Sequence, residues 1–189
     1  MPSILDNLTA ILIGTTVLLM LVGISVRLSQ TGTDQQVFET SQRVAQSLAQ
    51  QLEGDLPNVG YGVPRSIAPI VSWTDSSFAF RQRGGLDPDD PILVVEYRRV
   101  IAGTVIAGGA PQPVYRVERY ENGARIGGSP TSLASFELDL LDASGTPTAL
   151  PEDARAVRVR FAASFLTRDA SATTTARFDR TFHPLNLAL

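Results

Sequence analysis

The stretch Leu8–Val26, LTAILIGTTVLLMLVGISV, decides how the chain is read, because none of its side chains is charged. At ~1.5 Å per helical residue it reaches roughly 28 Å, close to the ~30 Å hydrocarbon core of a bilayer. Lipid offers no partner to backbone N–H and C=O groups. A segment that enters it is therefore a helix or part of a closed barrel, and this one lacks the alternation of a barrel strand. A core helix of a small soluble domain seldom stays apolar on every face over such a length. One membrane-spanning helix is predicted here.

A cleaved secretory signal would show a basic start, a shorter apolar run and a small-x-small cleavage site. The segment before the span, MPSILDN, instead carries Asp6 and no Arg, and Gly23-Ile24-Ser25-Val26-Arg27 makes a poor cleavage site. The span is expected to be retained. Arg27 alone would keep the following flank in the cytoplasm, but long domains are translocated largely regardless of such local charge. Asn7-Leu8-Thr9 has the spacing of a glycosylation acceptor, at a membrane edge where modification is not expected.

Composition narrows the rest. Of 189 residues, roughly 160 lie outside the anchor, enough for one domain with its own core. The net charge is −3, and the sixteen basic residues are all Arg and scattered. A nucleic-acid partner is not expected, since that needs a basic stripe to displace counterions from phosphates. Without cysteine there are no disulfides and no thiolate metal sites.

After the span, Val37, Ser41, Val44, Leu48 and Leu52 recur at helical spacing, widened by Phe38 and Ala45, with Gln35, Gln42, Gln46 and Gln50 opposite. This half is expected to pack on the domain's own sheet. Thr33-Asp34-Gln35-Gln36 reads as a capping box, so a break near Gly32 is expected, and Gly54 followed by Asp55-Leu56-Pro57 reads as the helix end.

From Asn58 onward, short β-type runs alternate with turn residues. The strand candidates are Pro69–Trp73, Ser77–Arg81, Ile92–Val100, Val114–Arg119, Leu133–Leu140, Ala156–Phe165 and Thr173–Phe182. The alternation in Val157–Phe161 and Ala176–Phe182 suits an antiparallel sheet with one wet face, and no helices interrupt the runs as a parallel sheet would require. Asn122-Gly123 predicts a hairpin turn, and Ala102–Pro113 is expected to be a loose, mobile loop. The fold class is thus α+β: an anchor helix over residues 1–30, an amphipathic helix over 31–56, and an antiparallel β-rich domain over 57–189.

In this order of parts the chain resembles type IV pilin-like proteins, in particular minor pilins of the PilW type and the J-type minor pseudopilins of type II secretion. The resemblance is carried by Leu52-Glu53-Gly54-Asp55-Leu56-Pro57-Asn58-Val59-Gly60-Tyr61-Gly62 as a helix exit, and by Ser77–Arg81, Leu93–Arg98 and Val114–Arg116 as strands. Phe136–Leu138, Asp142–Gly145, Ala154–Val159 and Phe182–Leu187 follow in the same order. It implies a non-enzymatic subunit whose partners are other pilin-like subunits, met through the N-terminal helix. It also implies an inner-membrane anchor, a periplasmic C-terminal domain and possible incorporation into an extracellular filament. Family members begin with a leader ending in Gly, and an acid near the mature start neutralises a neighbour's amine. Met1–Asn7 has no such leader, but Asp6 stands where the acid is wanted and becomes the fifth residue if Met1 is trimmed before Pro2. An Asp there also suits the positive end of a helix.

Candidate sites are few. Asp6, Ala10 and Gly14 are the assembly candidates, Ala10-x-x-x-Gly14 being a small-xxx-small pair that lets another helix approach. Asp87, Asp89 and Asp90, in Leu86-Asp87-Pro88-Asp89-Asp90-Pro91, form an oxygen-rich loop that could meet Ca²⁺ but lacks the glycine and distal Glu of an EF-hand, and an ordinary Asp/Pro turn is expected. The only His is His183, so a Ser-His-Asp triad would hang on one residue near a strand end. No catalytic residue, cofactor or small-molecule substrate is expected. A different-class alternative is a solitary signal-anchored periplasmic domain that binds a ligand or scaffolds an envelope complex, which a deep pocket with convergent polar groups would mark.

Overall fold

The computed structural model describes residues 4–85, 87–107, 109–129, 133–166 and 172–187. The chain is α+β, one long helix followed by an antiparallel sheet. It divides into two compact units, Met1–Glu39 and Thr40–Leu189. The division therefore falls inside the amphipathic stretch and at neither end of it.

Helix α1 runs unbroken over Ile4–Asp55. The restart expected at Thr33 does not occur, because the Thr33 hydroxyl donates to the Ser29 carbonyl one turn back, at 3.0 Å. A hydroxyl used in this way caps nothing. Gly32 costs only ~1 kcal/mol relative to Ala, too little to break a helix whose neighbours on both sides continue it. In the second unit Ser41, Val44, Ala45, Leu48 and Leu52 are buried, as their spacing predicts. Val37 and Phe38, in the first unit, are exposed, so the buried stripe begins only at Ser41. Gly54 remains helical, and the ending falls one residue later. Leu56–Asn58 tightens into a 3₁₀ turn with Pro57 in its first turn, and the Asn58 side-chain Nδ2 donates to the Gly54 carbonyl at 2.7 Å. The residue that takes positive φ to turn the chain is Gly60.

Nine strands follow among the described residues: β1 Ile70–Trp73, β2 Ser77–Arg83, β3 Ile92–Ala107, β4 Ala110–Glu121, β5 Ala124–Gly128, β6 Leu133–Leu141, β7 Pro147–Thr148, β8 Ala156–Leu166 and β9 Ala172–Phe182. They form one antiparallel sheet in the order β1-β2-β3-β4-β6-β8-β9, with β5 on β4 and β7 on β6. The Asn122-Gly123 turn is present, with φ of 47° and 82°, and it joins β4 to β5. The expected loose loop at Ala102–Pro113 is instead regular strand. Gly103–Ala107 pairs residue for residue with Ala110–Val114, extending the β3–β4 hairpin beyond its neighbours.

The core lies between the Thr40–Asp55 half of α1 and one face of the sheet. Leu48, Leu52 and Leu56 meet Phe78, Phe80, Val95, Val117, Leu133, Val157, Val159 and Phe161. The ring of Phe161 stacks on Phe178 at 4.9 Å between centroids. Because β8 alternates strictly, Val157, Val159 and Phe161 enter this core while Arg158 and Arg160 face outward.

The second edge of β4 is shared. β5 covers Glu118–Glu121, and β6 takes over at Tyr115, opposite Leu133. Between them the chain turns at Gly128 (φ 137°) and Ser129 bonds Val117 twice, through its amide to the carbonyl and its hydroxyl from the amide. A Cβ on Gly128 would stand 2.1 Å from the Val117 carbonyl oxygen. Gly128→Ala is accordingly expected to destabilise the sheet unit by about 2 kcal/mol or more, read as a fall in the urea midpoint. A midpoint equal to the parent's would mean that the turn relaxes freely.

Among the described residues β4 meets that edge of β6 at Leu133 and β7 at Leu140–Leu141, so the stretch between has no strand beside it. Its carbonyls are met by side chains instead: Arg99 donates to Phe136 O at 3.0 Å, and the Trp73 indole to Leu138 O at 3.3 Å. These two donors satisfy half-buried acceptors that have no strand partner on this edge.

Candidate functional site

The N-terminal half of α1 is the most unusual surface of the chain. From Ile11 to Leu28 its large apolar side chains are 48–70% exposed. The two threonines within it donate their hydroxyls to their own helix, Thr15 to Ile11 O at 2.7 Å and Thr16 to Leu12 O at 2.8 Å. Nothing polar is left reaching outward from these two positions, which is what an apolar surrounding requires. This helix is long and apolar enough to cross a membrane. A cation placed mid-span costs roughly 3 kcal/mol of insertion free energy. Leu18→Arg is therefore expected to shift chain from the carbonate-resistant membrane fraction to the supernatant, and an unchanged distribution would count against insertion through this segment.

Of the assembly candidates, Asp6, Ala10 and Gly14 all sit on α1. The side chains of Asp6 and Ala10 lie outside the described residues. At Gly14 a Cβ would meet nothing within 4 Å, so that face of the helix is open.

The acidic loop uses its carboxylates on itself. Asp90 Oδ2 accepts from the Asp87 amide at 2.9 Å, and Asp87 Oδ1 from the Asp89 amide at 3.0 Å. Arg83 braces it by donating to the Asp87, Asp90 and Gly62 carbonyls. Leu86 lies outside the described residues. Among those described, no three acidic or imidazole groups come together as a cation site needs. The geometry is that of a self-capped turn. His183 is exposed at the strand end.

The sequence did not point to a polar cluster at the foot of α1. Asp55 Oδ2 accepts from the Tyr97 hydroxyl at 2.6 Å and from Arg119 Nε at 2.5 Å, while Arg119 Nη1 reaches Glu121 at 2.7 Å. Tyr97 is 1% exposed and Arg119 8%. Burial, with Asp55 beside it, pushes the Tyr97 phenol well above its ordinary range. Burial also pulls on the Arg119 charge, but the bonds from Asp55 and Glu121 outweigh it and hold the guanidinium charged. One signal was readable: Arg119 follows Tyr115 and Val117 on the core face of β4, and a charge there demands a carboxylate partner. Nearby, the Glu53 carboxylate accepts from Arg180 of β9, a second polar tie between helix and sheet.

The outer face of the sheet carries a lattice of ion pairs. Arg160 reaches Asp139 and Glu137, Arg158 grips Asp179 with two bonds, and Glu118 takes Arg116, Arg125 and the Tyr120 hydroxyl. Bonds from Tyr120 and from Arg158 hold the Glu118 and Asp179 carboxyls below their usual range. Acids and bases alternate across these strands, so the face presents no field of one sign.

Together these features define one long helix with an exposed apolar N-terminal half, followed by an antiparallel sheet. No protein-family model, curated protein or solved structure matches the chain.

Proposed function

We propose that this chain is a non-catalytic minor subunit of a type IV pilus-like or type II secretion-like filament, in which it initiates, caps or adapts the assembly. The supporting observation is the bare apolar half of α1, continuous with a half that is seated on an antiparallel sheet. So large an apolar surface needs lipid or other helices around it. The mechanism is an exchange of one for the other: spans leave the bilayer and pack together, with Ala10 and Gly14 permitting close approach, while the sheet units remain outside the bundle. On this reading the sheet unit lies in the periplasm, and Asp6 meets a neighbour's N-terminal amine.

The deciding experiment is co-isolation from cells that assemble such filaments, together with filament counts after deletion. Co-purification with pilin-like subunits and loss or shortening of filaments are expected. A chain that stays monomeric in the membrane whether or not the assembly machinery is present overturns the proposal. The solitary, ligand-binding alternative has one observation in its favour, a cleft of about 300 Å³ lined by Gly60, Gly62, Arg65, Ile67, Pro69 and Asn186. A small molecule that shifts the melting temperature of the wild type but not of Arg65→Ala would favour it.

A further inference from the structure

The extended β3–β4 hairpin is protected on one edge and open on the other. β2 covers β3 only as far as Arg98, with the Arg99 amide still bonded to Ser76 O. Beyond that point β3 pairs with β4 alone among the described residues. On β4, Pro113 stands opposite Thr104 and Pro111 opposite Ile106. Proline has no N–H, so the rungs between the two strands are made by the alternate pairs, Val105 with Gln112 and Gly103 with Val114. The prolines thus face outward and leave the β4 edge without donors there, which blocks strand addition. The outward positions of β3, Thr104 and Ile106, keep both donor and acceptor.

The open edge also lacks the usual guards. Ile101-Ala102-Gly103-Thr104-Val105-Ile106 contains no charge and no proline, and Ile101 and Ile106 are 67% and 50% exposed. Edge strands ordinarily carry Lys or Pro against pairing, and a high-β, uncharged six-residue run without them pairs readily. We infer that this β3 edge pairs antiparallel with the same edge of a second copy of the chain, forming a two-fold β3–β3 junction.

Self-pairing fits because no like charges are brought opposite one another, and because it closes. Each copy uses the same β3 edge, and the proline edge of the hairpin cannot recruit a third. A ladder of this length buries far less than the ~1,600 Å² of a standard interface, so it operates between copies already held at high local concentration, as chains inserted in one membrane are. To that extent the inference rests on the membrane-inserted reading, though not on which filament is served.

The absence of cysteine gives a clean test in the full-length chain in lipid nanodiscs loaded with two copies. Single cysteines placed from Ile101 to Ile106 should form disulfide dimers under mild oxidation, strongest at one position and weaker on either side of it. Gln112→Cys should not cross-link. Adding Thr104→Lys, which sets Lys near Lys across the junction, should reduce cross-linking several-fold while leaving the urea midpoint unchanged. Cross-linking that is uniform along β3, equal at Gln112, or indifferent to Thr104→Lys overturns the inference. Dimers lost with Gly14→Leu but not with Thr104→Lys also overturn it, in favour of contact through the spans. Failure of the membrane reading shows separately, as chain that never enters the nanodiscs.

Discussion

Leu52→Ala is expected to lower the unfolding free energy of the sheet unit by about 3–5 kcal/mol, the upper part of the range for truncating a fully buried leucine. Leu52 is 0% exposed and sits where the helix meets the centre of the sheet. Its neighbours cannot collapse into the void, because one wall is a hydrogen-bonded helix and the other a hydrogen-bonded sheet. The single tryptophan, Trp73, reports on the event, since its indole is bonded to Leu138 O and is released when β1 leaves β6. Urea titration of the full-length protein in detergent, followed by Trp73 fluorescence, gives the number. Leu21→Ala, at a position 61% exposed in the other unit, should leave the same transition where it was. A loss below about 1 kcal/mol at Leu52 would mean that the helix is not seated as described.

Arg119→Met should be of comparable size, about 3–5 kcal/mol, because it leaves two carboxylates without the cation that made their placement tolerable. The position of Asp55 sharpens the effect. It lies in the last turn of α1, where the helix dipole is negative and repels a further negative charge. Arg119 and the Tyr97 hydroxyl together offset that repulsion. The double variant Asp55→Asn, Arg119→Met should recover part of the loss, since no charge is then stranded. Tyr97 adds a pH dependence whose sign follows from its raised pKa. The unfolded phenol ionises near pH 10, while the folded one keeps its proton. The stability contributed is therefore fully present below pH ~10 and is lost above it, at about 1.4 kcal/mol per pH unit. Tyr97→Phe should flatten that alkaline slope, and an unchanged slope would place the titration elsewhere.

Much of the fold was written in local pattern. The uncharged helical run, the Ser41–Leu52 stripe and the β8 alternation are all patterns of single elements, and the last two survive into the folded chain because burial acts on one face at a time. The misreadings came where local signals were weak or shared. Gly32 beside a Thr-x-x-Gln run looks like a helix boundary, yet one glycine cannot overcome hydrogen bonds continuing on both sides. Ala102–Pro113 has the glycines and prolines of a loop, but its prolines fall only at positions where no rung is needed, and that parity becomes visible once the register is known. The partners within the Asp55–Tyr97–Arg119 cluster were illegible for a different reason. Its members are 42 and 64 residues apart, and nothing in a single sequence says which carboxylate answers which arginine.

The Glu53–Arg180 tie joins residues 127 apart. The chain leaves the ribosome from its N-terminus, so the apolar span and the helix stripe exist long before β8 and β9 do. At ~5–20 residues per second, Leu52 waits on the order of five to twenty seconds for the strands that will cover it. The order of synthesis thus gives the span time to find its own surroundings first, and it makes completion of the core the last act of folding, deferred until the final strands arrive.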